Sequence, residues 1–303
     1  MLGMSRLSPR TSRALGTVAA IGFLMLSGCA PEEKSSTSAS DPVADQTDLK
    51  PVLSCTIEDL NLKKPGTLTI ATDSPAYDPW FSKDDPTNGE GFESSVAYAL
   101  AEEMGFTRED VEWVTVRFNN SYKPGPKDFD FDINQISITP ERQKVVDFST
   151  GYYSAAQAVF ALKGTAGADA TSLADLKGLR LGAQTGTTSL TAIREVIQPD
   201  AEPLVFNDTN AAKQALQNDQ VDAVVADLPT ALYITAAEIP KSTIIGQFQP
   251  ETGEQEEFGL LFEKGNPLVE CVDFYLEGMK EAGVLAQLEQ KWLKESTDIP
   301  DLK

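Results

Sequence analysis

The segment Asp130-Phe131-Asp132-Ile133-Asn134-Gln135-Ile136-Ser137-Ile138-Thr139-Pro140-Glu141-Arg142 sets a guanidinium beside an abrupt change of backbone form. Phe131, Ile133, Ile136 and Ile138 make an extended apolar run. Thr139-Pro140-Glu141 then reads as a helix start: a hydroxyl N-cap, proline in the first helical position and an acid in the first turn. Arg142 falls on the opening turn, beside amides left free at the strand end. A small carboxylate suits such a corner, held by charge-assisted hydrogen bonds. A surface pair with Glu141 or Asp147 is the other use of Arg142.

Three further segments carry side chains suited to the same kind of ligand. In Gly182-Ala183-Gln184-Thr185-Gly186-Thr187-Thr188-Ser189 a strand end and a glycine turn run into a hydroxyl-rich helix start. Free amides and hydroxyls there favour an anionic group, or simply cap the helix. Asp227 ends the apolar run of residues 222–226 and precedes Leu228-Pro229. An acid at the carboxyl end of a parallel strand stands where open α/β sheets place ligands, unless it serves as an N-cap. Thr72-Asp73-Ser74-Pro75-Ala76-Tyr77-Asp78-Pro79-Trp80 offers two aromatics and two acids on a stiff loop; an aromatic plug over the core is the alternative.

The elements that must position these groups alternate along the chain. Residues 68–71, 113–116, 158–162, 179–183, 203–206, 222–226, 242–246 and 258–262 read as strands. Phe92, Val96, Leu100 and Met104 recur every four residues on a helix stopped by Gly105. Residues 173–176 read as a short helix, residues 188–197 as a helix with Leu190, Ile193 and Ile197 inward, and residues 209–218 and 228–238 as two more. Two amphipathic helices close the chain, one burying Val272, Leu276 and Met279 and the other Leu285, Leu288 and Trp292. The alternation predicts an α/β fold with largely parallel sheets.

The first 28 residues read as an export signal. Arg6, Arg10 and Arg13 precede an apolar run, residues 14–27, that is short for a membrane span, and Leu26-Ser27-Gly28-Cys29 resembles a bacterial lipobox. Cys29 would then be lipidated and become the N-terminus. Residues 29–54, rich in Ser, Asp and Glu, read as a disordered tether. The other two cysteines, Cys55 and Cys271, are more simply a disulfide than two buried thiols in an exported chain. A bridge would bring the two ends of the folded region into one lobe. The formal charge of −21, or −24 once the three leader arginines are removed, repels nucleic acid and anionic membrane surfaces. The chain contains no histidine. That excludes Ser-His-Asp chemistry and most zinc sites.

Taken in order, these segments resemble the extracytoplasmic solute-binding proteins of polar amino-acid ABC importers (family 3, with the type 2 periplasmic-binding-protein fold). The resemblance covers about residues 62–295. It is carried by Leu68-Thr69-Ile70-Ala71-Thr72-Asp73, Gly91-Phe92-Glu93, Ile138-Thr139-Pro140-Glu141-Arg142, Gly182–Thr188, Val221–Asp227 and Lys264-Gly265-Asn266-Pro267. It implies two α/β lobes joined by two crossing hinge segments: residues 55–157 plus 258–303, and residues 158–257, with the ligand in the cleft between them. Arg142 would clamp an α-carboxylate, helped by the amides of Ser137 and Thr188. Asp227 would take the α-ammonium together with the Ser137 hydroxyl and the Gln135 carbonyl. Tyr77 and Phe118 would flank the ligand, and Asp73 would face its side chain. Asn134, Gln135 and Gln184 suggest a polar side chain, glutamine-like or basic. The expected protein is a monomeric, lipid-anchored receptor on the outer face of the cell membrane, delivering its ligand to the importer's transmembrane permease. No catalysis, cofactor, metal or nucleic acid is expected; the alternatives are an enzyme on the same scaffold, dehydratase-like or peptidoglycan-acting, and a ligand sensor without transport. Asn134-Gln135 departs from the small Ser-Gly pair usual in the family, and the prolines after Phe118 cut short its usual helix.

Overall fold

The computed structural model describes residues 54–249, 256–293 and 299–303. The expected leader, the Cys29 acylation site and residues 29–53 of the expected tether lie outside the described residues.

In chain order the main elements are β1 (Leu68–Thr72), α1 (Phe92–Glu103), β2 (Val111–Thr115), α2 (Phe118–Ser121), β3 (Phe131–Asp132), α3 (Pro140–Gln143), β4 (Val146–Ala155) and β5 (Gln157–Leu162). They continue with β6 (Leu181–Gln184), α4 (Thr188–Ala192), β7 (Leu204–Phe206), α5 (Thr209–Gln217), β8 (Ala223–Asp227), α6 (Leu228–Tyr233), β9 (Ser242–Phe248), β10 (Glu256–Glu263), α7 (Leu268–Glu281) and α8 (Val284–Trp292). The strands form two five-stranded sheets, ordered β2-β1-β3-β10-β4 and β7-β6-β8-β5-β9. Each has three parallel strands, with the middle one first in sequence, followed by an antiparallel neighbour. The two sheets are thus the cores of two α/β lobes built on one plan. The chain passes from the first to the second between β4 and β5, at Ala156, and returns before β10.

Local sequence explains most of the elements. In α1, Phe92, Val96 and Leu100 are fully buried on one face, and Gly105 ends the helix at φ +91°. The Phe106 amide donates back to Ala101, a termination that needs a residue free to adopt the left-handed region. Strand β5 alternates its burial between two cores. Val159 and Ala161 pack with Leu181, Ile193 and Val225, whereas Ala158 and Phe160 pack with Leu216, Val224 and Ile234. Helices α7 and α8 return to the first lobe, where Val272, Leu276, Met279 and Leu285 share a core with α1. The Cys55–Cys271 disulfide fixes that return, with Cα atoms 5.5 Å apart across a separation of 216 residues. By the chain-entropy model such a loop contributes at most about 5 kcal/mol.

Two local expectations are corrected. Residues 173–176 form turns instead of a helix, because Asp175 accepts from the Thr171 amide and hydroxyl while the Ser172 hydroxyl accepts from the Asp175 amide. Those side chains compete with the helical ladder. Residues 299–303 do not stay with the first lobe. Asp301 pairs with Gln247 on β9, and Leu302 is buried against Ile245 and Phe248.

Candidate functional site

The groups singled out in the sequence stand at the carboxyl ends of the parallel strands, the position where open α/β sheets bind ligands. Asp73 follows β1, Asn134 to Ser137 follow β3, Gln184 ends β6, Thr188 opens the helix after it, and Asp227 ends β8. Asp73, Tyr77, Phe118, Gln135, Ser137, Gln184, Thr188 and Asp227 line one cavity of about 60 Å³ between the lobes. Asn134, Thr209 and Thr230 line it as well.

Arg142 stands just behind this wall, in the corner expected for it. Thr139 caps α3 by accepting from the Arg142 amide at 3.2 Å, and Pro140 occupies the first turn. Arg142 is 8% exposed, and its guanidinium is largely engaged with carbonyls. It donates to the Ser137 carbonyl at 2.7 Å and, across the cleft, to the Gly186 carbonyl at 2.9 Å. It also lies over the rings of Tyr122 (4.9 Å) and Phe118 (5.5 Å). Burial lowers its pKa, and the negative charges of Glu256 and Asp227 act in the opposite direction. Arg142 is therefore no surface ion pair.

The two helix starts in the second lobe resolve in different ways. Thr187 caps α4 by accepting from the Leu190 amide, which leaves the Thr188 hydroxyl to face the cleft. Asp227 precedes α6 without capping it. Its carboxylate instead accepts from Gln157 Nε2 at 3.1 Å. Burial, and then the charge of Glu256, push the Asp227 carboxyl well above the usual carboxylate range. Around the first lobe, Asp73 accepts from the amides of Ser74 (2.7 Å) and Phe118 (3.1 Å), and burial raises its pKa.

Gln135 takes the left-handed region at φ +48°, a conformation that glycine adopts without cost. Buried Glu93 fixes it there by accepting from both the Gln135 amide, at 2.7 Å, and its side-chain nitrogen; the Tyr152 hydroxyl donates to the same carboxylate. The Gln135 side chain is thus spent inside the first lobe. Asn134 keeps an unspent donor: its side-chain nitrogen is buried and has no hydrogen-bond partner.

Two residues in the cleft were not anticipated. Gln157, at the first crossing, is fully buried. Its nitrogen donates to Asp227 and Glu256, and its oxygen accepts from the Ser189 hydroxyl at 2.6 Å. Glu256, at the second crossing, accepts from the Ser137 and Thr188 hydroxyls, both at 2.5 Å. Their signal in the sequence is weak: a polar residue at the edge of an apolar hinge strand. The lobes also meet directly. Trp80 donates through its ring nitrogen to the Thr230 hydroxyl at 2.8 Å, and a Cβ added to Gly186 (φ +75°) would lie 2.2 Å from the Tyr122 hydroxyl.

The sequence profile of the bacterial extracellular solute-binding proteins, family 3, matches residues 68–295, and the chain belongs to that family. The L-cystine-binding protein TcyJ of Escherichia coli K12 is 28% identical over 234 residues, 76% of this chain and 84% of that protein. The ABC transporter glutamine-binding protein GlnH of Bacillus subtilis 168 is 30% identical over 220 residues, 71% of this chain and 77% of that one. Among solved structures, an ancestral arginine-binding protein bound to glutamine superposes with a TM-score of 0.64 at 33% identity, covering 77% of this chain and all of the other. All three are named as amino-acid-binding proteins, GlnH as one of an ABC transporter, and the fold is that of the type 2 periplasmic binding proteins. Among the described residues no helix is long and apolar enough to cross a membrane, and no cluster of acids and cysteines suits a metal ion.

Proposed function

We propose that this protein captures a polar amino acid, glutamine-like or basic, and delivers it to the permease of an ABC importer. The observation that carries this reading is a guanidinium and a carboxyl group set on opposite lobes of one cleft, the carboxyl ready to ionise against an incoming ammonium. Arg142 and the Ser137 and Thr188 amides form the acid-binding end. The Thr188 hydroxyl joins them, as does that of Ser137, which we move there from the ammonium, because both already donate to a carboxylate, that of Glu256. The uncapped, half-buried carboxyl of Asp227 forms the ammonium-binding end. A zwitterion leaving water must have both charges matched, and this arrangement answers each from a different lobe. Binding would therefore draw the lobes together about the crossings at Ala156 and before Glu256. The relatives named for cystine, glutamine and arginine support the ligand class. Asp73 and Asn134, which also line the cavity, support a polar side chain.

The reading includes export as a lipoprotein acylated at Cys29, a tether over residues 29–54 and a monomeric receptor outside the cytoplasm. It also includes binding without turnover. One structural neighbour, an ancestral amino acid-binding protein, is described as a precursor of cyclohexadienyl dehydratase. Here, however, the Asp227 and Glu256 carboxylates share the Gln157 amide as a donor, and the chain has no histidine.

Calorimetric titration with the twenty amino acids and cystine tests the proposal. An affinity near micromolar, roughly −8 kcal/mol, is expected for at least one polar member of that panel. Absence of binding to every member would refute the assignment. Mass spectrometry of the membrane-extracted protein should find its N-terminus at an acylated Cys29.

A further inference from the structure

Glu256 opens β10 at the second crossing, where its backbone pairs with Ala155 beside the first. Its side chain is thereby placed where it reaches both lobes. One carboxylate oxygen accepts from the Ser137 hydroxyl of the first lobe and the Thr188 hydroxyl of the second, at 2.5 Å each. The other accepts from Gln157 Nε2 at 2.9 Å. The two hydroxyls themselves stand 3.2 Å apart, so a single carboxylate joins the lobes.

We propose that Glu256 is an internal carboxylate that competes with the ligand for Ser137 and Thr188, and so sets the affinity of the cleft. The inference rests on the reading of those hydroxyls as receptors of the ligand's α-carboxylate. Each hydroxyl has one hydrogen to donate, and the two hydrogens of the Gln157 amide are divided between Glu256 and Asp227. The same donors cannot serve two carboxylates at once. A ligand must therefore displace the Glu256 carboxylate, and its apparent affinity falls by the fraction of molecules in which Glu256 holds those donors. Charge-assisted hydrogen bonds make that fraction large.

The test compares the wild type, Glu256→Gln and Glu256→Ala by titration with L-glutamine and with L-arginine. Small-angle scattering of each protein before and after addition supplies a second readout. Both variants are expected to bind tighter than the wild type by about tenfold or more, corresponding to a competing fraction of roughly nine-tenths or above. Without added amino acid they should be more expanded than the wild type, and contract on binding. Binding by the variants alone, with none by the wild type, supports the inference in its strongest form. Equal or weaker binding by both variants overturns it while leaving the amino-acid reading intact. Such a result would make Glu256 a partner of the ligand's cationic groups. Failure of all three proteins to bind these two or any other of the twenty amino acids and cystine removes both the inference and the reading beneath it.

Discussion

At one end of the cleft, Arg142 donates to two backbone carbonyls, and Ser137, Thr188 and Gln157 all donate to Glu256, so the strong donors are already satisfied by the protein. At the other end, the Asp73 carboxylate accepts two backbone amides, and the buried Asn134 nitrogen has no hydrogen-bond partner. In the proposed reading, the first end would recognise any amino acid through its carboxylate. If Glu256 competes as proposed, recognition there means exchange of partners. The second end holds an uncommitted donor beside a half-buried acid. On the proposed function, that asymmetry would separate the choice of ligand class, at Arg142 and Asp227, from the choice of side chain, around Asp73 and Asn134.

The largest expected effect breaks the first end. Arg142→Ala should weaken binding of every amino acid in the panel by more than about a hundredfold, since it leaves a ligand carboxylate in a partly dry cleft without its cation. Titration of a variant that still unfolds cooperatively measures this. Affinity close to wild type would reassign Arg142 to bracing Ser137 and Gly186. A smaller and selective effect belongs to the second end. Asp73→Asn should weaken L-arginine by about tenfold or more and leave L-glutamine within a few-fold, changing the ranking rather than the class. A uniform loss for both ligands would erase the distinction between the two ends.

Beneath the cleft the same contrast has a pH signature. Burial pushes the Glu93 carboxyl, which holds Gln135 in place, from 4.5 up to about 7. The folded protein therefore keeps a proton that the unfolded chain releases. Stability from this group is fully present below about pH 4.5, falls as the pH rises to about 7, and changes little beyond. Asp132, raised to about 7 by burial, acts in the same direction. Urea unfolding at pH 5 and pH 8 should show the loss, and Glu93→Gln should remove its own share, about 3 kcal/mol at most. An unchanged difference between the two pH values would show that Glu93 is ionised throughout.

Much of this architecture is legible in the chain because its local signals agree. Thr139-Pro140 starts a helix where expected, Gly105 ends one, and the Cys55–Cys271 pair predicts the return of α7 to the first lobe. The cavity is legible for a related reason. Strand ends in α/β sheets are marked by glycine, hydroxyl and acidic residues, and eight of the named side chains lie there. Glu256 and Gln157 are illegible because their role depends on the distance between two lobes, which no local pattern encodes. Gln135 is a different case. Its departure from glycine suggests a selectivity role, but its side chain is turned inward to Glu93, a partner 42 residues away. The uncommitted donor is its neighbour, Asn134.

The central claim, that a zwitterion is held between Arg142 and Asp227, is tested most directly by a crystal structure of the protein with its tightest-binding amino acid. The predicted complex has the α-carboxylate within hydrogen-bond distance of Arg142, Ser137 and Thr188, the ammonium on Asp227, and the Glu256 carboxylate displaced from both hydroxyls. A ligand bound outside this cleft, or one seated with its carboxylate away from Arg142, would contradict the account.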